Sequence, residues 1–430
     1  MSTTSPEKVP DSDLDIPPKE AANSADVDID TFGPAPDGGL RAWLVAAGGA
    51  SITFACMGFT NSFGVFQEYY TTHQLSSVSP DKVAWIGSLS VFLQFSGGAF
   101  SGPLFDRYGA WIIRPAAILY LLSIMLTSLC TQYWHFMLCQ GVLMGLSGSV
   151  LQFPTFAAVS QYFDKRRAAA LGIVISGSSV GGVVFPVALS KMLNSSQISF
   201  GWAVRIMGFV STPMVLFTCV AVTARLPPRK TQFFLPAAFR DVKYSLLVAA
   251  LFFSFLGMMT PLFFLPTYAV ARGVDPALAS YLVAILNGAS TFGRIIPGVL
   301  ADKYGKFNVF AIGSLCTGVV VLCLTPAKST AGLVVYAIAI GFSSGTIVSG
   351  GSAAFTVCTD DGRNLGTYLG MGMAVGAVAA LIGPPLNGAL VERYSGFLEL
   401  SVLSGVMCLV GGVVAFVAKG WTDKGFWGRV

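Results

Sequence analysis

Arg294 is the residue whose position asks most of its surroundings. It stands inside the apolar run "YLVAILNGASTFGRIIPGVLADKYG", residues 281–305, eight residues before Asp302. On a helix that is about 12 Å from the charged end, at 1.5 Å per residue. A cation at such depth costs a few kcal/mol or more unless it meets a partner or a wet cavity. Asn287, Ser290 or Thr291, and Arg294 recur at i, i+3/i+4 and i+7, which places them on one helix face. Phe292 and Ile296 form the apolar face. The chemistry this arrangement suits is capture of an anionic group on an organic molecule, bidentately if that group is a carboxylate. The competing reading is a structural post, with Arg294 bonded to helix carbonyls or snorkelling inward.

No carboxylate of the chain lies at similar depth. Other polar residues are spread over other apolar runs: Asn61 and Ser62 in the first, Gln152 and Thr155 in the fourth, Ser176, Ser178 and Ser179 in the fifth. Tyr268 closes the seventh, and Asn387 follows Gly383-Pro384-Pro385 in the eleventh. Arg294, Asn287, Ser290, Asn61, Tyr268 and Asn387 are the candidate solute contacts. Arg205 follows Trp202 near a helix end and reads as an interfacial anchor.

Several chemistries find no support. The P-loop pattern G-x-x-x-x-G-K-[ST] is missing, so ATP hydrolysis is not expected. The two histidines, His73 and His135, stand outside the apolar runs or at their edge, and no H-E-x-x-H or Cys/His cluster occurs. The eight cysteines lie in or directly beside apolar runs without a C-x-x-C pair, so they read as small hydrophobes. Neither a metal, a cofactor nor an enzyme is expected.

The elements that must position Arg294 follow from composition. Of 430 residues, 54% are hydrophobic and 11% charged, with mean hydropathy +0.69. Soluble domains carry about 25% charged residues, and this chain could not cover a water-exposed surface. Twelve apolar runs approach the roughly 20 residues a spanning helix needs: 42–66, 83–105, 111–131, 136–162, 168–192, 202–223, 244–270, 278–300, 307–325, 332–356, 366–390 and 397–418. Backbone groups in lipid must be satisfied internally, and for runs of this length helices are the natural reading, so the expected fold is all-α.

Residues 1–36 hold eight of the 21 acids and two of the 26 bases, leaving 13 acids and 24 bases for the rest. This tail is polar and Pro-containing, which predicts disorder, and it lacks the pattern of a secretory signal. Twelve spans put both termini on one side. With the termini cytoplasmic, the inner segments hold 19 bases and the outer loops five, a bias that selects this orientation. The cluster Lys165-Arg166-Arg167 then marks the inner end of the fourth and fifth helices. No basic face continues beyond it, so nucleic acid is not an expected partner.

The chain repeats itself. "GPLFDRYG" (102–109) returns as "GVLADKYG" (298–305), offset by 196 residues. Each copy joins the second and third helices of a six-helix half. The expected layout is a tail over 1–40, a first bundle over 41–223, a central connection over 224–243, a second bundle over 244–418 and a tail over 419–430. Such duplicated halves place a solute site at their joint. Gly102 and Gly298 permit close approach. Asp106 and Asp302 are expected to pair with Arg107 or Lys303, or to cap the following helix. Gly109 and Gly305 close the turns. Gly141, Gly145 and Gly148, with Gly177 and Gly181, carry small-residue spacing suited to close helix packing.

The twice-present loop resembles the signature of the major facilitator superfamily. "PDGGLRAW" (36–43) and "YFDKRRAAALGIVISGSSVGG" (162–182) resemble the paired motifs of its monocarboxylate-porter family, in particular the fungal branch. The resemblance covers about 36–418. It implies a twelve-helix, two-bundle transporter whose Gly102–Gly109 and Gly298–Gly305 loops latch an inner gate. Porters of this family usually carry an Asp four residues before the helix-eight Arg and often a Lys near the end of the first helix. Ser290 and Asn61 stand there instead, which argues against proton–monocarboxylate symport. A proton carrier could still be Glu68, or the substrate could bring its own proton, or transport could be facilitative.

The expected function is alternating-access transport of a small organic solute, an organic acid or other polar metabolite, by a monomer in the cell membrane or an internal membrane. Export of a larger fungal secondary metabolite is the alternative, and a non-transporting receptor on the same fold a third. Asn194-Ser195-Ser196 is a glycosylation sequon on an expected outer loop.

Overall fold

The computed structural model describes residues 35–78, 80–193, 197–227, 235–359, 365–394 and 396–422, with Met1, Gly425 and Gly428. Nearly all of the acidic tail, part of the central connection and the Asn194 sequon lie outside the described residues. So does the side chain of Glu68.

Among the described residues every regular element is helical. The first rod consists of α1 (Gly39–Asn61) and α2 (Phe63–Thr72). It bends at Ser62, whose hydroxyl donates back to the Gly58 carbonyl at 2.9 Å. Such back-bonding competes with the helix ladder and favours a bend. The rod reaches Thr72 rather than ending near residue 66, so the bend falls inside the span. The second rod is α3 (Pro80–Ser96) and α4 (Gly98–Tyr108). The apolar stretch Trp85–Thr127 is 43 residues long, about twice the thickness of a hydrocarbon core. Gly109, with φ of +66°, divides it and opens a short 3-10 turn, Gly109–Ile112, into α5 (Ile113–Thr127).

The fourth rod begins with α6 (Tyr133–Phe136), widens into a π-helical stretch, Met137–Leu143, and continues as α7 (Met144–Tyr162). Next come α8 (Arg167–Leu193) and α9 (Phe200–Ala221). The second half holds α10 (Val242–Ala271), α11 (Pro276–Tyr304), α12 (Lys306–Leu322), α13 (Thr330–Ala354), α14 (Leu365–Tyr394) and α15 (Leu398–Gly420). Ten stretches among the described residues are long and apolar enough to cross a bilayer. With Trp85–Thr127 divided and the shorter α12 added, the rods match the twelve apolar runs of the sequence. Large apolar side chains such as Phe292 and Ile296 are exposed on the outside of α11, as lipid-facing positions require.

The most extensive packing between the halves is of α8 against α11, and of α14 against α3 and α4. Glycines set both crossings. A Cβ added at Gly172 of α8 would stand 2.6 Å from the Arg294 carbonyl oxygen, and one at Gly298 would stand 2.8 Å from that of Ala168. In the other pair, a Cβ at Gly370 would collide with the Gly98 carbonyl and one at Gly102 with the Gly366 carbonyl. Gly98 and Arg294 are 196 positions apart, as are Gly102 and Gly298. The second crossing is therefore a copy of the first.

Candidate functional site

The end of the molecule carrying the two repeated loops is here called the inner end. There the motif carboxylates reach across the joint. Asp302, at the end of α11, accepts from the backbone N–H groups of Ala168 (3.0 Å) and Ala169 (2.8 Å) in the first turn of α8. Those groups have no partner within their own helix, and an acceptor carrying negative charge suits the positive end of the helix dipole. Asp106, at the end of α4, accepts from the Thr367 hydroxyl (3.2 Å) in the first turn of α14. The expectation of capping the following helix is thus corrected. The chain turns sharply at Gly109 and Gly305, where φ is +66° and +102°, and each carboxylate meets a helix of the opposite half instead. Arg107 lies over the Tyr108 ring at 5.6 Å, and Lys303 over the Tyr304 ring at 5.4 Å. The two motif copies therefore repeat in contacts as well as in residue type.

Beyond these contacts, α8 and α11 hold Arg294. Its Nη1 donates to the Ile175 carbonyl at 2.9 Å and to the Ser178 hydroxyl. Nε is buried without a hydrogen-bond partner. Among the described residues no carboxylate forms an ion pair with it. One edge of the guanidinium is thus committed to the opposite half while the other keeps its donors uncommitted. The bonds of Nη1 match the structural-post expectation, and Nε is the nitrogen they leave without a partner among the described residues.

Asn61 and Asn287 lie one to two helical turns further along the same seam. Asn61 Nδ2 donates to the Ser178 carbonyl at 3.5 Å, and Asn287 Nδ2 to the Val283 carbonyl at 3.1 Å. Gly182 keeps them close: a Cβ there would lie 2.7 Å from Asn61 Nδ2 and 3.1 Å from Asn287 Oδ1. Ser290 is buried on the same helix as Arg294, with its carbonyl against Gly345 of α13. Asn61, Asn287 and Arg294 therefore share the α8–α11 seam, with Ser178 as the common neighbour of Asn61 and Arg294, whereas the neighbour shown for Ser290 is α13.

Two predicted contacts lie elsewhere. Tyr268 is fully buried in an apolar cluster with Leu282, Leu333 and Tyr336. Its hydroxyl donates to the Thr325 carbonyl at 3.0 Å, and its ring packs on Phe397. Asn387 donates to the Thr260 hydroxyl at 2.7 Å and accepts from the Ser404 hydroxyl at 3.3 Å, tying α10, α14 and α15 together. Arg205 donates to the Ser128 hydroxyl at 3.1 Å beside the Trp202 ring, an anchoring arrangement.

The sequence reading passed over Gln94. Thr60 donates to Gln94 Oε1 at 2.9 Å, and Gln94 Nε2 to Gln152 Oε1 at 3.3 Å, inside the first bundle. A neutral amide carries no charge to betray it in an apolar run. Only its pairing with a second buried amide, from α7, marks it. Ile175 was equally invisible, because its contribution is a backbone carbonyl.

Comparison with known proteins agrees with this architecture. The family model described as Major Facilitator Superfamily matches residues 48–361 and 250–425. The aspyridones efflux protein apdF of Emericella nidulans is 46% identical over 386 residues, covering 90% of this chain and 79% of that protein. The agnestins efflux protein AgnL12 of Paecilomyces divaricatus is 37% identical over 420 residues, covering 96% and 94%. Among solved structures, the human organic anion transporter MFSD10 superposes with a TM-score of 0.70 at 14% identity, over 88% of this chain and all of that one. The transporter FucP in its outward conformation gives 0.67 at 16% identity, over 88% and 98%. With two repeated halves, a glycine-set joint and family-wide likeness along nearly its whole length, the chain belongs to the major facilitator superfamily and is a multi-pass membrane transporter of a small organic solute.

Proposed function

We propose that this chain exports an anionic or polar organic metabolite across the cell membrane by alternating access, with Arg294 as the central solute contact. The observation that carries the reading is the uncommitted edge of the Arg294 guanidinium at the joint of the halves. Nε and Nη2 together keep three N–H donors, and a carboxylate or similar anion can take two of them side-on. An arriving anion would neutralise a charge that no described carboxylate balances. Asn61 and Asn287 stand along the same seam and offer neutral donors and acceptors for the rest of the molecule. Nη1 is bonded to α8, so a ligand on the other edge feels which way the two halves are packed. A ligand changes a two-state equilibrium only through such differential contact.

The gate in this reading is the pair Asp302–α8 and Asp106–α14, which closes the inner end. Opening that end requires Ala168, Ala169 and Thr367 to exchange these carboxylates for water. Export is supported by the relatives named as efflux proteins. The orientation with both termini cytoplasmic rests on the distribution of basic residues, and a monomer needs no further subunit to complete the seam.

A second reading, a monocarboxylate-porter-like carrier, is favoured by "PDGGLRAW" and "YFDKRRAAALGIVISGSSVGG". Counterflow in sealed vesicles of purified protein separates the two. A panel of labelled small carboxylates and bulky acidic metabolites is followed with and without a pH gradient. Movement of a bulky metabolite with silence for small acids is the expected result. Saturable exchange of a small carboxylate instead would establish the porter reading. Movement of neither would remove both.

A further inference from the structure

The stretch before α1 holds a second carboxylate, Asp37, bonded to the loop that leads into the helix start gripped by Asp302. We infer that Asp37 is a positioning residue of the transport cycle. It shapes the α7–α8 loop so that the N-terminus of α8 is ready to receive Asp302. The inference rests on the gate reading above.

Asp37 is the one non-glycine described residue with positive φ, +51°. Asp and Asn tolerate the left-handed region better than other side-chain-bearing residues, yet it remains an uncommon conformation. Held this way, Asp37 makes three bonds to one loop. Its N–H donates to the Tyr162 carbonyl at 3.1 Å, at the last residue of α7. Its Oδ1 accepts from the N–H groups of Asp164 (2.6 Å) and Arg166 (3.3 Å). Two residues further on, Ala168 and Ala169 donate to Asp302. The N–H groups of the loop leading into α8 are thus held by Asp37 and those of the first turn of α8 by Asp302, one carboxylate from each half of the molecule. Asp37 precedes α1, which packs along α8, and Trp43 of α1 stacks edge-on against Phe163 of the loop at 5.1 Å. When the halves separate, Asp302 leaves with α11, whereas Asp37 travels with α8. Its cap is therefore the constant part of the latch, and Asp302 the part that cycles.

The test is amide hydrogen exchange on full-length protein in lipid nanodiscs, read from overlapping peptides across residues 160–175. Asp37→Gly keeps the backbone conformation and removes the cap. Asp37→Asn keeps both conformation and acceptor. Asp37→Gly should raise exchange at Ala168 and Ala169 about tenfold, the scale of one lost cap, while Asp37→Asn stays at the wild-type rate. Faster exchange at 164–166 alone, with 168–169 unchanged, would overturn the inference. Asp302→Ala provides an arm that does not depend on expression of the Asp37 variants. It should deprotect Ala168 and Ala169 while Asp164 and Arg166 stay protected. Joint loss of protection at all four would also overturn the inference. Unchanged protection at Ala168 and Ala169 in Asp302→Ala would instead remove the gate reading itself.

Discussion

Arg294, on the second half of the molecule, donates to the hydroxyl of Ser178 on the first. Arg294 therefore ties the two halves together through Nη1, while its Nε has no hydrogen-bond partner among the described residues. Arg294→Ala should abolish transport while membrane expression persists. Arg294→Lys should retain little activity, because an ammonium cannot bond α8 and grip an anion along two parallel directions. Uptake assays on expression-matched vesicles check both, and normal transport by Arg294→Ala would remove the site assignment.

Ser290 lies one helical turn before Arg294 on the same face. Ser290→Asp would place a carboxylate beside the guanidinium and neutralise it internally. Affinity for an acidic substrate should fall at neutral pH. It should recover as the pH falls and the new carboxyl takes up a proton, since the protonated form no longer competes for Arg294. Kd measured across pH 5–8 gives the sign, and a pH-independent Kd would count against an anionic ligand at Arg294.

Gly102 meets the Gly366 carbonyl where α4 crosses α14. Gly102→Ala forces these backbones apart and should hold the inner end open, reducing turnover at least tenfold. Gly298→Ala, where the closest approach is 2.8 Å, should do the same more mildly. Accessibility of inner-end amides, compared with transport rate, reports both effects.

Asn387 is the hydrogen-bonded bridge among α10, α14 and α15. Asn387→Ala removes two buried bonds, leaving the Thr260 and Ser404 hydroxyls bonded only to each other, and should destabilise the second bundle by about 1–3 kcal/mol. Tyr268→Phe loses one bond to the Thr325 carbonyl and should cost about 1 kcal/mol. Neither should alter substrate Kd. Thermal unfolding and ligand titration separate the two properties, and a large change in Kd would return these residues to the site.

The sequence by itself determined the twelve runs, their pairing into two similar halves and the face of α11 that carries Arg294. These follow from local constraints. Apolar runs of about 20 residues satisfy their backbone in lipid as helices, a period of 3.6 assigns faces, and a repeated octapeptide reports a repeated turn. The tertiary structure decided where the charges and amides went. Asp302 could have capped the helix that follows it, but the sharp turn at Gly305 and the approach of α8 through Gly172 and Gly298 gave it a helix start 134 positions away in sequence. Asn61 and Asn287 meet because Gly182 leaves room, whereas Tyr268 and Asn387, equally polar on paper, are consumed within their own bundle. Which polar groups remain free for a ligand depends on which carbonyls and hydroxyls the packing brings to them. Residue type and spacing along one helix do not carry that information.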